Sequence, residues 1–167
     1  QITPVKYARG TNDKKIYQLN EQQATLLITY LKNTPPVRQF KKDLVQEFYR
    51  MRRELTRRQI FRDAGKPIRR TLTDAIRDSG EDGRMHGHAY GTYTDLAYKA
   101  ATGKIARILR KERGACAKAI ATDFLTSDEL SAYNKAEERL TVLLDMGLTY
   151  DQIKTLLLVQ TSKRLAG

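Results

Sequence analysis

The chain of 167 residues contains no tryptophan and a single cysteine, Cys116. One cysteine cannot close a disulfide inside the chain, so a disulfide framework is excluded and a reducing compartment is indicated. Long hydrophobic runs are also missing, because the longest, Leu156–Val159, is far too short to cross a bilayer. No signal-peptide pattern is present. These absences predict a cytoplasmic protein that has no membrane partner.

Acidic residues are the next scarce group, since 19 Asp and Glu stand against 31 Lys and Arg and give a net charge of +12. The excess is concentrated in the middle of the chain. Between Arg38 and Leu125 there are 21 Lys and Arg against 11 Asp and Glu, whereas the last 42 residues carry a net charge of −1. A concentrated basic surface on a helical protein is typical of nucleic-acid binding. We therefore expect double-stranded DNA as a partner.

Signatures of catalysis and cofactor binding are scarce as well. No Gly-rich phosphate loop follows a strand and opens a helix. The two histidines, His86 and His88, lie in one short loop, and zinc sites usually draw on two close-spaced ligand pairs rather than on one pair and a lone cysteine. We expect no catalysis, no metal and no cofactor.

The residue pattern predicts a mainly α-helical fold that begins with a short β-hairpin. Val5–Tyr7 and Ile16–Leu19 indicate two strands on either side of the turn-rich segment Arg9–Asp13. Asn20 is a residue type that favours a helix N-cap, and the apolar spacing over Gln22–Leu31 predicts the first helix. The remainder is expected to form a multi-helix bundle.

The longest periodic segment, Val37 to about Ala64, predicts one long basic helix. Gly65 and Pro67 are expected to end it, since proline lacks the amide hydrogen that a helix interior needs. A short helix, Ile68–Asp78, follows. Apolar residues spaced four, three and four apart form a narrow seam along the long helix, which is typical of a coiled coil. This seam is the candidate oligomer interface and consists of Leu44, Phe48, Met51 and Leu55.

A basic corner is predicted in the second half of the chain. A helix that ends at Ala101, a tight turn at Thr102 and Gly103, and a basic helix over Ile105–Arg113 have the shape of a helix-turn-helix. An ordinary helical corner, with the apolar residues of these helices in the core, is the alternative.

The end of the chain predicts a helical hairpin. Thr126 and Thr149 each begin a capping-box pattern, and helices over Ser127–Asp145 and Tyr150 to about Lys163 follow them. The polar loop Ser79–Arg84 is the candidate boundary between two parts. Residues 1–78 would contain the β-hairpin and the long basic helix, and residues 79–167 would contain the basic corner and the terminal hairpin.

Two stretches of the sequence resemble the Rha family of phage regulatory proteins. The first contains Tyr17–Ala24 and the segment Leu31–Leu55, with its Phe-Lys-Lys at Phe40 and its Phe-x-x-Met-Arg at Phe48. The second, from Pro67 to Lys104, is similar to the C-terminal region that is often joined to such proteins. The chain starts at Gln1 rather than Met, and the family usually carries a helical segment before the hairpin. The resemblance therefore implies a fragment that lacks part of the N-terminal segment.

The resemblance implies a phage or prophage transcriptional regulator that works in the cytoplasm of the bacterial host cell. Such proteins are related in organisation to antirepressors and commonly act as homo-oligomers. Two alternatives to a DNA-binding regulator stay open. The protein could act as an antirepressor that binds a repressor or another phage or host protein, since an Arg-rich face also suits an acidic protein surface. A metal-dependent nuclease centred on His86 and His88 is the remaining alternative.

The candidate nucleic-acid-binding residues are basic side chains of the long helix and of the corner. Phosphate contact by several of them would make binding strongly salt-dependent. They are Arg50, Arg53, Arg57, Arg58, Arg62, Lys66, Arg69, Arg70, Lys104, Arg107, Arg110, Lys111 and Arg113.

Four residues of the loop and helix between these basic segments are candidates for contact with a partner or a phosphate: His86, His88, Tyr90 and Tyr93. Tyrosines beside a basic region can stack on bases. The same rings can instead pack in the core, and the pattern favours core or interface packing for the tyrosines.

Overall fold

The computed structural model describes residues 2–7, 10–15 and 18–165, and the side chains of residues 18–158. In these residues the chain is mainly helical and contains seven α-helices. It divides into two units, residues 1–51 and 52–167. The segment Ser79–Arg84, where the sequence suggested a polar loop and a boundary, contains a four-residue helix, Glu81–Arg84, and lies inside the second unit. No helix in the described part of the chain combines the length and the apolar character that a bilayer span requires.

The first unit begins with two antiparallel strands, β1 (Ile2–Tyr7) and β2 (Gly10–Lys15), in which Ile2 lies opposite Lys15 and Tyr7 opposite Gly10. The hairpin is not seen in the form that the sequence predicted. Most of the predicted turn, Arg9–Asp13, falls in β2. Of the predicted second strand, Gln18 and Leu19 are in no strand, and Ile16 and Tyr17 lie outside the described residues. Gln18 and Leu19 instead lead into the N-cap of the next helix.

Helix α1 (Glu21–Tyr30) confirms the predicted helix and its cap. The side-chain oxygen of Asn20 accepts a hydrogen bond from the backbone N–H of Gln23 at 2.9 Å, and the Gln23 side chain accepts one from the N–H of Asn20 at 3.1 Å. This reciprocal pair satisfies two amide groups that a helix start leaves unpaired. None of the described side chains of the first unit is buried, so its apolar side chains remain accessible.

Helix α2 (Pro35–Asp78) is a single helix of 44 residues, and the prediction that Gly65 and Pro67 end it is wrong. A proline inside a helix costs about 3 kcal/mol, and tertiary packing on both sides of Pro67 outweighs this cost. Asn134 donates a hydrogen bond to the Phe61 carbonyl at 2.8 Å, six residues before the proline. Leu72 and Ile76 are fully buried beyond it.

Six further elements complete the second unit: α3 (Glu81–Arg84), α4 (Ala89–Thr102), α5 (Ala106–Glu112), the 3-10 helix η1 (Ala121–Phe124), α6 (Ser127–Asp145) and α7 (Tyr150–Leu165). The predicted terminal hairpin is confirmed as α6 and α7. Thr126 and Glu129 form the reciprocal capping box of α6. At α7 the Gln152 side chain accepts the N–H of Thr149 at 2.9 Å.

The core of the second unit lies where α4 packs on α6 and α7, with Tyr93, Leu140 and Ile153 completely buried. The rings of Tyr98 and Tyr133 join α4 to α6, with centroids 4.5 Å apart. The C-terminal part of α2 adds its apolar face to the same core. This packing fixes the side of α2 that faces α6, and with it the directions in which the arginines of α2 point.

Gly65 is required for the close approach of α2 and α6. A Cβ at this position would lie 2.7 Å from the side-chain oxygen of Asn134, a buried residue whose amide nitrogen donates to the Phe61 carbonyl. We expect Gly65→Ala to destabilise the protein by about 1–3 kcal/mol in urea unfolding, although alanine is the better helix former. In an Asn134→Ala background, where the clash is absent, the same substitution should be neutral or stabilising.

The matched control is Gly91→Ala in α4, where a Cβ would meet nothing within 4 Å. We expect this substitution to stabilise by roughly 0.5–1 kcal/mol. Equal effects of the two alanines would contradict the assigned role of Gly65.

Candidate nucleic-acid interface

Four arginines converge on the first turn of α6 and on η1, and together with four carboxylates they form a cluster that we call the α6 clamp. Its members are Arg57, Arg58, Arg62, Arg113, Glu54, Asp123, Asp128 and Glu129. Four positive and four negative side chains cancel formally. The clamp therefore contributes no net charge. Its contacts connect α2 with η1 and with the start of α6, and they connect Arg113, just after α5, with α6.

The contacts of the clamp with the start of α6 are direct. Glu54 accepts the backbone N–H and the hydroxyl of Ser127 at 2.8 and 2.7 Å, and these two bonds lower its pKa, the backbone bond most. Arg57 pairs with Asp128 at 2.8 Å. Arg113 donates to the carboxylate of Glu129 at 2.9 Å. Acidic side chains are also favourable here because a helix N-terminus carries a partial positive charge.

Two further arginines of α2 hold η1. Arg58 donates to the main-chain carbonyl of Asp123, and Arg62 pairs with the Asp123 carboxylate at 2.7 Å. Arg113 also donates to the carbonyl of Phe124. These arginines hold the segment between α5 and α6 in place, which is a structural task that the sequence did not reveal.

Most of the other predicted DNA-binding cations have internal partners. Arg50 pairs with Glu47, Lys66 with Asp63, Arg69 with Glu137 and Lys104 with Glu112, while Arg110 donates to the Ala119 carbonyl. The exposed pairs among these, which are those of Arg50, Lys66 and Lys104, contribute little energy. They nevertheless lower the local positive charge that a phosphate would meet.

Four predicted residues keep their charge uncompensated. The exposed side chains of Arg53, Arg70, Arg107 and Lys111 make no ion pair or hydrogen bond within residues 18–158. Arg107 and Lys111 are four residues apart on α5, so they share one side of that helix, away from the buried Ala106 and Leu109.

Arg52 belongs to the same group, although the candidate residues from the sequence did not include it. Its side chain is exposed and has no partner among the described side chains. Arg52 and Arg70 are eighteen residues, or five turns, apart and therefore lie on one side of α2. Counting charge along the outward side of the helix would have found Arg52, but the sequence alone did not say which side faces outward.

The predicted tight turn of the basic corner is confirmed. Gly103 ends α4 with a φ of 75°, a conformation that glycine adopts without strain. The Asp95 side chain then accepts the backbone N–H of Ala106 at 3.2 Å and caps α5. Because α5 has seven residues, it can present about two turns to a groove. Its role as a recognition helix stays a prediction.

The two tyrosines of the candidate contacts differ in accessibility. Tyr93 is completely buried, its hydroxyl donates to the Glu81 carboxylate at 3.2 Å, and burial raises its pKa. Its ring packs edge-to-face on Tyr150. Tyr93 is therefore not accessible to a partner or a phosphate in this structure. Tyr90 is half-buried against the core.

The histidine loop does not form a metal centre in the described part of the chain. His86 and His88 are exposed, and His86 has a positive φ of 51° in the turn between α3 and α4. Within residues 18–158, no group of three or more His, Cys, Asp or Glu side chains is placed to hold a metal ion. Cys116 is exposed and free. The metal-dependent nuclease therefore receives no support from the geometry.

The four residues of the predicted oligomer seam are all exposed. Leu44, Phe48 and Met51 lie on α2 in the first unit, and Phe48 is 55% accessible. Leu55, four residues further along α2, is also exposed. Phe48 and Tyr49 meet edge-to-face at 5.5 Å on the same helix. Their accessibility leaves the seam available to a partner.

The seam, the uncompensated cations and the mainly helical fold describe a basic helical protein with an accessible apolar helix face. Residues 1–53 match the family model described as phage regulatory protein Rha. The match covers the strands, α1 and the first part of α2, and it confirms the resemblance over that segment. It supports a role in phage regulation. The resemblance drawn for Pro67–Lys104 stays a prediction, and no curated protein matches the chain.

Replacing Glu129 by glutamine should weaken the dependence of stability on acid pH. Hydrogen bonds from Arg113 chiefly, and from Thr126, hold the pKa of Glu129 below its ordinary value of 4.5. Because the folded state favours the ionised form, Glu129 stabilises the protein above pH 4.5, and this contribution is lost as pH falls through the lowered pKa. Urea unfolding between about pH 7 and pH 3 should show a smaller loss for Glu129→Gln than for the wild type.

The control is Glu138→Gln, which removes an exposed carboxylate from the same helix. Its stability should follow the wild-type pH dependence. If Glu129→Gln and the wild type gave parallel curves, the pairing of Glu129 with Arg113 would not persist in solution.

Proposed function

We propose that the protein is a phage or prophage regulator that binds double-stranded DNA through uncompensated cations of its second unit, without catalysis. The observation that supports this proposal is the positive charge that remains after the charges of the α6 clamp have cancelled. Residues 52–125 contain 17 Lys and Arg against 9 Asp and Glu. Within residues 52–125, the exposed cations whose side chains make no ion pair or hydrogen bond are Arg52, Arg53, Arg70, Lys99, Arg107, Lys111 and Lys118.

The position of these cations favours a continuous basic region. Arg53 lies one turn before Arg57 on α2, and Lys111 lies two residues before Arg113. Arg57 and Arg113 pair with consecutive residues of α6, Asp128 and Glu129. The neutral clamp thus brings two elements with uncompensated charge to one end of α6. A phosphate backbone, with its regularly repeated negative charge, is the partner that such a surface suits.

Dimerisation through the first unit is the second part of the proposal. Leu44, Phe48 and Met51 follow the four-three spacing of a coiled coil, and none of the described residues of the first unit is buried. Exposed apolar side chains at that spacing are expected to pair with the same seam of a second copy. A two-fold dimer would also double the basic surface.

Binding to a repressor protein, as an antirepressor, is the alternative. The accessible apolar side chains of α1, Leu26, Leu27 and Tyr30, favour it, because a purely DNA-binding unit has no need of them. Capture of a repressor from a lysogen after nuclease treatment separates this alternative from bridging by DNA.

Removing three uncompensated charges should weaken DNA binding at all sequences. We expect the combined variant Arg53→Gln, Arg107→Gln and Lys111→Gln to lower affinity for a labelled random duplex in fluorescence anisotropy. If each residue contacts a phosphate, the slope of log Kobs against log salt should fall by roughly 0.9 per contact, or about 3 in total.

The control removes the same number of charges elsewhere: Arg77→Gln, Lys135→Gln and Lys154→Gln. Arg77 is paired with Asp74 and Asp78, and Lys154 lies over the Tyr150 ring. Equal losses in both variants would show that net charge alone governs binding. The arginines of the α6 clamp are unsuitable for this test, because alanine at Arg57, Arg58 and Arg62 would also disturb the fold.

A charged residue in the seam should prevent association. We expect Phe48→Asp to shift sedimentation from dimer to monomer, because an unpaired carboxylate cannot be buried in an apolar interface without a large cost. Ile60→Asp, at an exposed position of α2 outside the seam, should leave the mass unchanged. A monomeric wild type at the highest soluble concentration would contradict the dimer.

A further inference from the structure

The side chains beside the apolar seam of α2 carry a charge pattern that distinguishes the ways in which two copies can pair. A coiled coil repeats every seven residues, with apolar residues at positions a and d and flanking residues at positions e and g. The spacing of the seam places Leu44 and Met51 at d, and Phe48 and Leu55 at a. This assignment also fixes which residues flank the seam.

The flanking positions near the middle of the seam hold charges of both signs. Glu47 and Glu54 are at g, whereas Val45 and Arg52 are at e. In a parallel pair, a g residue of one helix meets the e residue five positions further along the other helix. Glu47 therefore meets Arg52 of the second copy, and the two-fold symmetry forms this pair of opposite charges twice.

An antiparallel pair brings different flanking residues together. There g residues meet g residues and e residues meet e residues, so Glu47 would face Glu54 of the second copy, and Arg52 would face Val45. Like charges that face each other across an interface disfavour that pairing. The flanking charges of α2 thus favour the parallel arrangement.

Both members of the parallel charge pair are accessible. The Arg52 side chain is exposed and makes no ion pair or hydrogen bond within residues 18–158. Glu47 accepts a hydrogen bond from Arg50 on its own helix at 2.8 Å, and this interaction lowers its pKa. Because the pair is exposed, it contributes little energy, and a carboxylate can accept more than one donor. Glu47 can therefore also bind Arg52 of a second copy.

The exposed apolar area of α2 fits a second copy only when flanking residues are included. The four seam residues expose roughly 400 Å² per copy, so two copies would bury about 800 Å², whereas a specific interface needs about 1,000 Å². In the parallel register, Phe40 at g meets Val45 of the second copy at e, and both are exposed. These two residues raise the apolar area to roughly 1,100 Å².

Lys41, at the a position before Leu44, marks the N-terminal end of the apolar seam. Its Nζ donates to the Leu31 carbonyl at 3.2 Å and to the Asn33 side chain at 2.8 Å. A lysine at a single a position lowers the stability of a coiled coil but specifies its register. Each lysine of a parallel pair has acceptors in its own chain, so the charge at this layer is not left without a partner.

We propose, on the basis of the seam dimer described above, that two copies pair through α2 as a parallel, in-register coiled coil over residues 40–55. Glu47 of each copy binds Arg52 of the other copy. Arg52 then serves the dimer rather than DNA. Arg53, one residue further, is at position f on the side of α2 opposite the seam and stays available to a phosphate.

Disulfide formation between single cysteines tests the orientation in the full chain, with Cys116→Ser as background because Cys116 is exposed. In a parallel pair Leu44→Cys faces its own copy within the roughly 7 Å between Cα atoms that a disulfide can span. Mild oxidation should therefore yield a covalent dimer. In an antiparallel pair the two cysteines would lie about eleven residues, or roughly 16 Å, apart along the helices. Lys42→Cys, at the outward position b, is the matched control and should stay unlinked.

Reversal of the flanking charges tests the register by sedimentation. Glu47→Arg and Arg52→Glu each place like charges opposite each other in the parallel pair, so each should raise the dimer Kd by about tenfold. The double variant restores opposite charges and should return the Kd to within about threefold of the wild type. Lys42→Glu reverses a charge outside the interface and should leave the Kd unchanged.

The orientation and the seam dimer fail in different ways. A dimeric protein in which Leu44→Cys forms no disulfide would overturn the parallel orientation and leave the dimer in place. So would a disulfide between differently tagged Leu44→Cys and Leu55→Cys chains, which an antiparallel pair predicts. A double charge variant as weak as the single variants would overturn the pairing of Glu47 with Arg52. A monomeric wild type would overturn the dimer itself and the orientation with it.

Discussion

The pairing of arginines from α2 and from the end of α5 with the acidic start of α6 is the interaction that decides which cations of the second unit remain uncompensated. Glu54 on α2 caps α6 through Ser127, and Arg57 reaches Asp128 one residue further. Arg113 approaches the same turn from the other side and pairs with Glu129. Because all these groups meet at one helix end, loss of a single partner leaves another charge unbalanced.

These ion pairs reduce the number of arginines that can attract a negatively charged partner. In the sequence every arginine of the middle segment is equally a candidate for phosphate contact. In the structure the arginines that point toward α6 are neutralised, and only those that point away can attract a polyanion. Arg58 and Arg53 are five residues apart on one helix, yet the first holds the Asp123 carbonyl and the second has no partner among the described side chains. The direction of the side chain, rather than its identity, separates the two roles.

Structural features that depend on neighbouring residues, such as helix caps, could be predicted from the sequence. Features that depend on distant residues, such as burial and ion pairing, could not. The caps at Asn20 and Thr126 need only residues three positions away, and both are confirmed. Gly65 and Pro67 are strong local stop signals, but Asn134, some seventy residues later, packs against this part of α2 and the helix continues. The burial of Tyr93 and the pairing of Arg113 depend in the same way on the positions of other helices.

The two units differ in what they still need. The second unit has a buried core and balanced ion pairs, so it can hold its surface cations in fixed positions. The first unit, which the Rha match covers, has accessible apolar side chains on α1 and on α2 up to Met51. Helices in proteins gain most of their stability from the packing of an apolar face, and the described helical residues of the first unit bury little area. The proposed dimer would therefore stabilise the first unit most, because three of the four seam residues lie there.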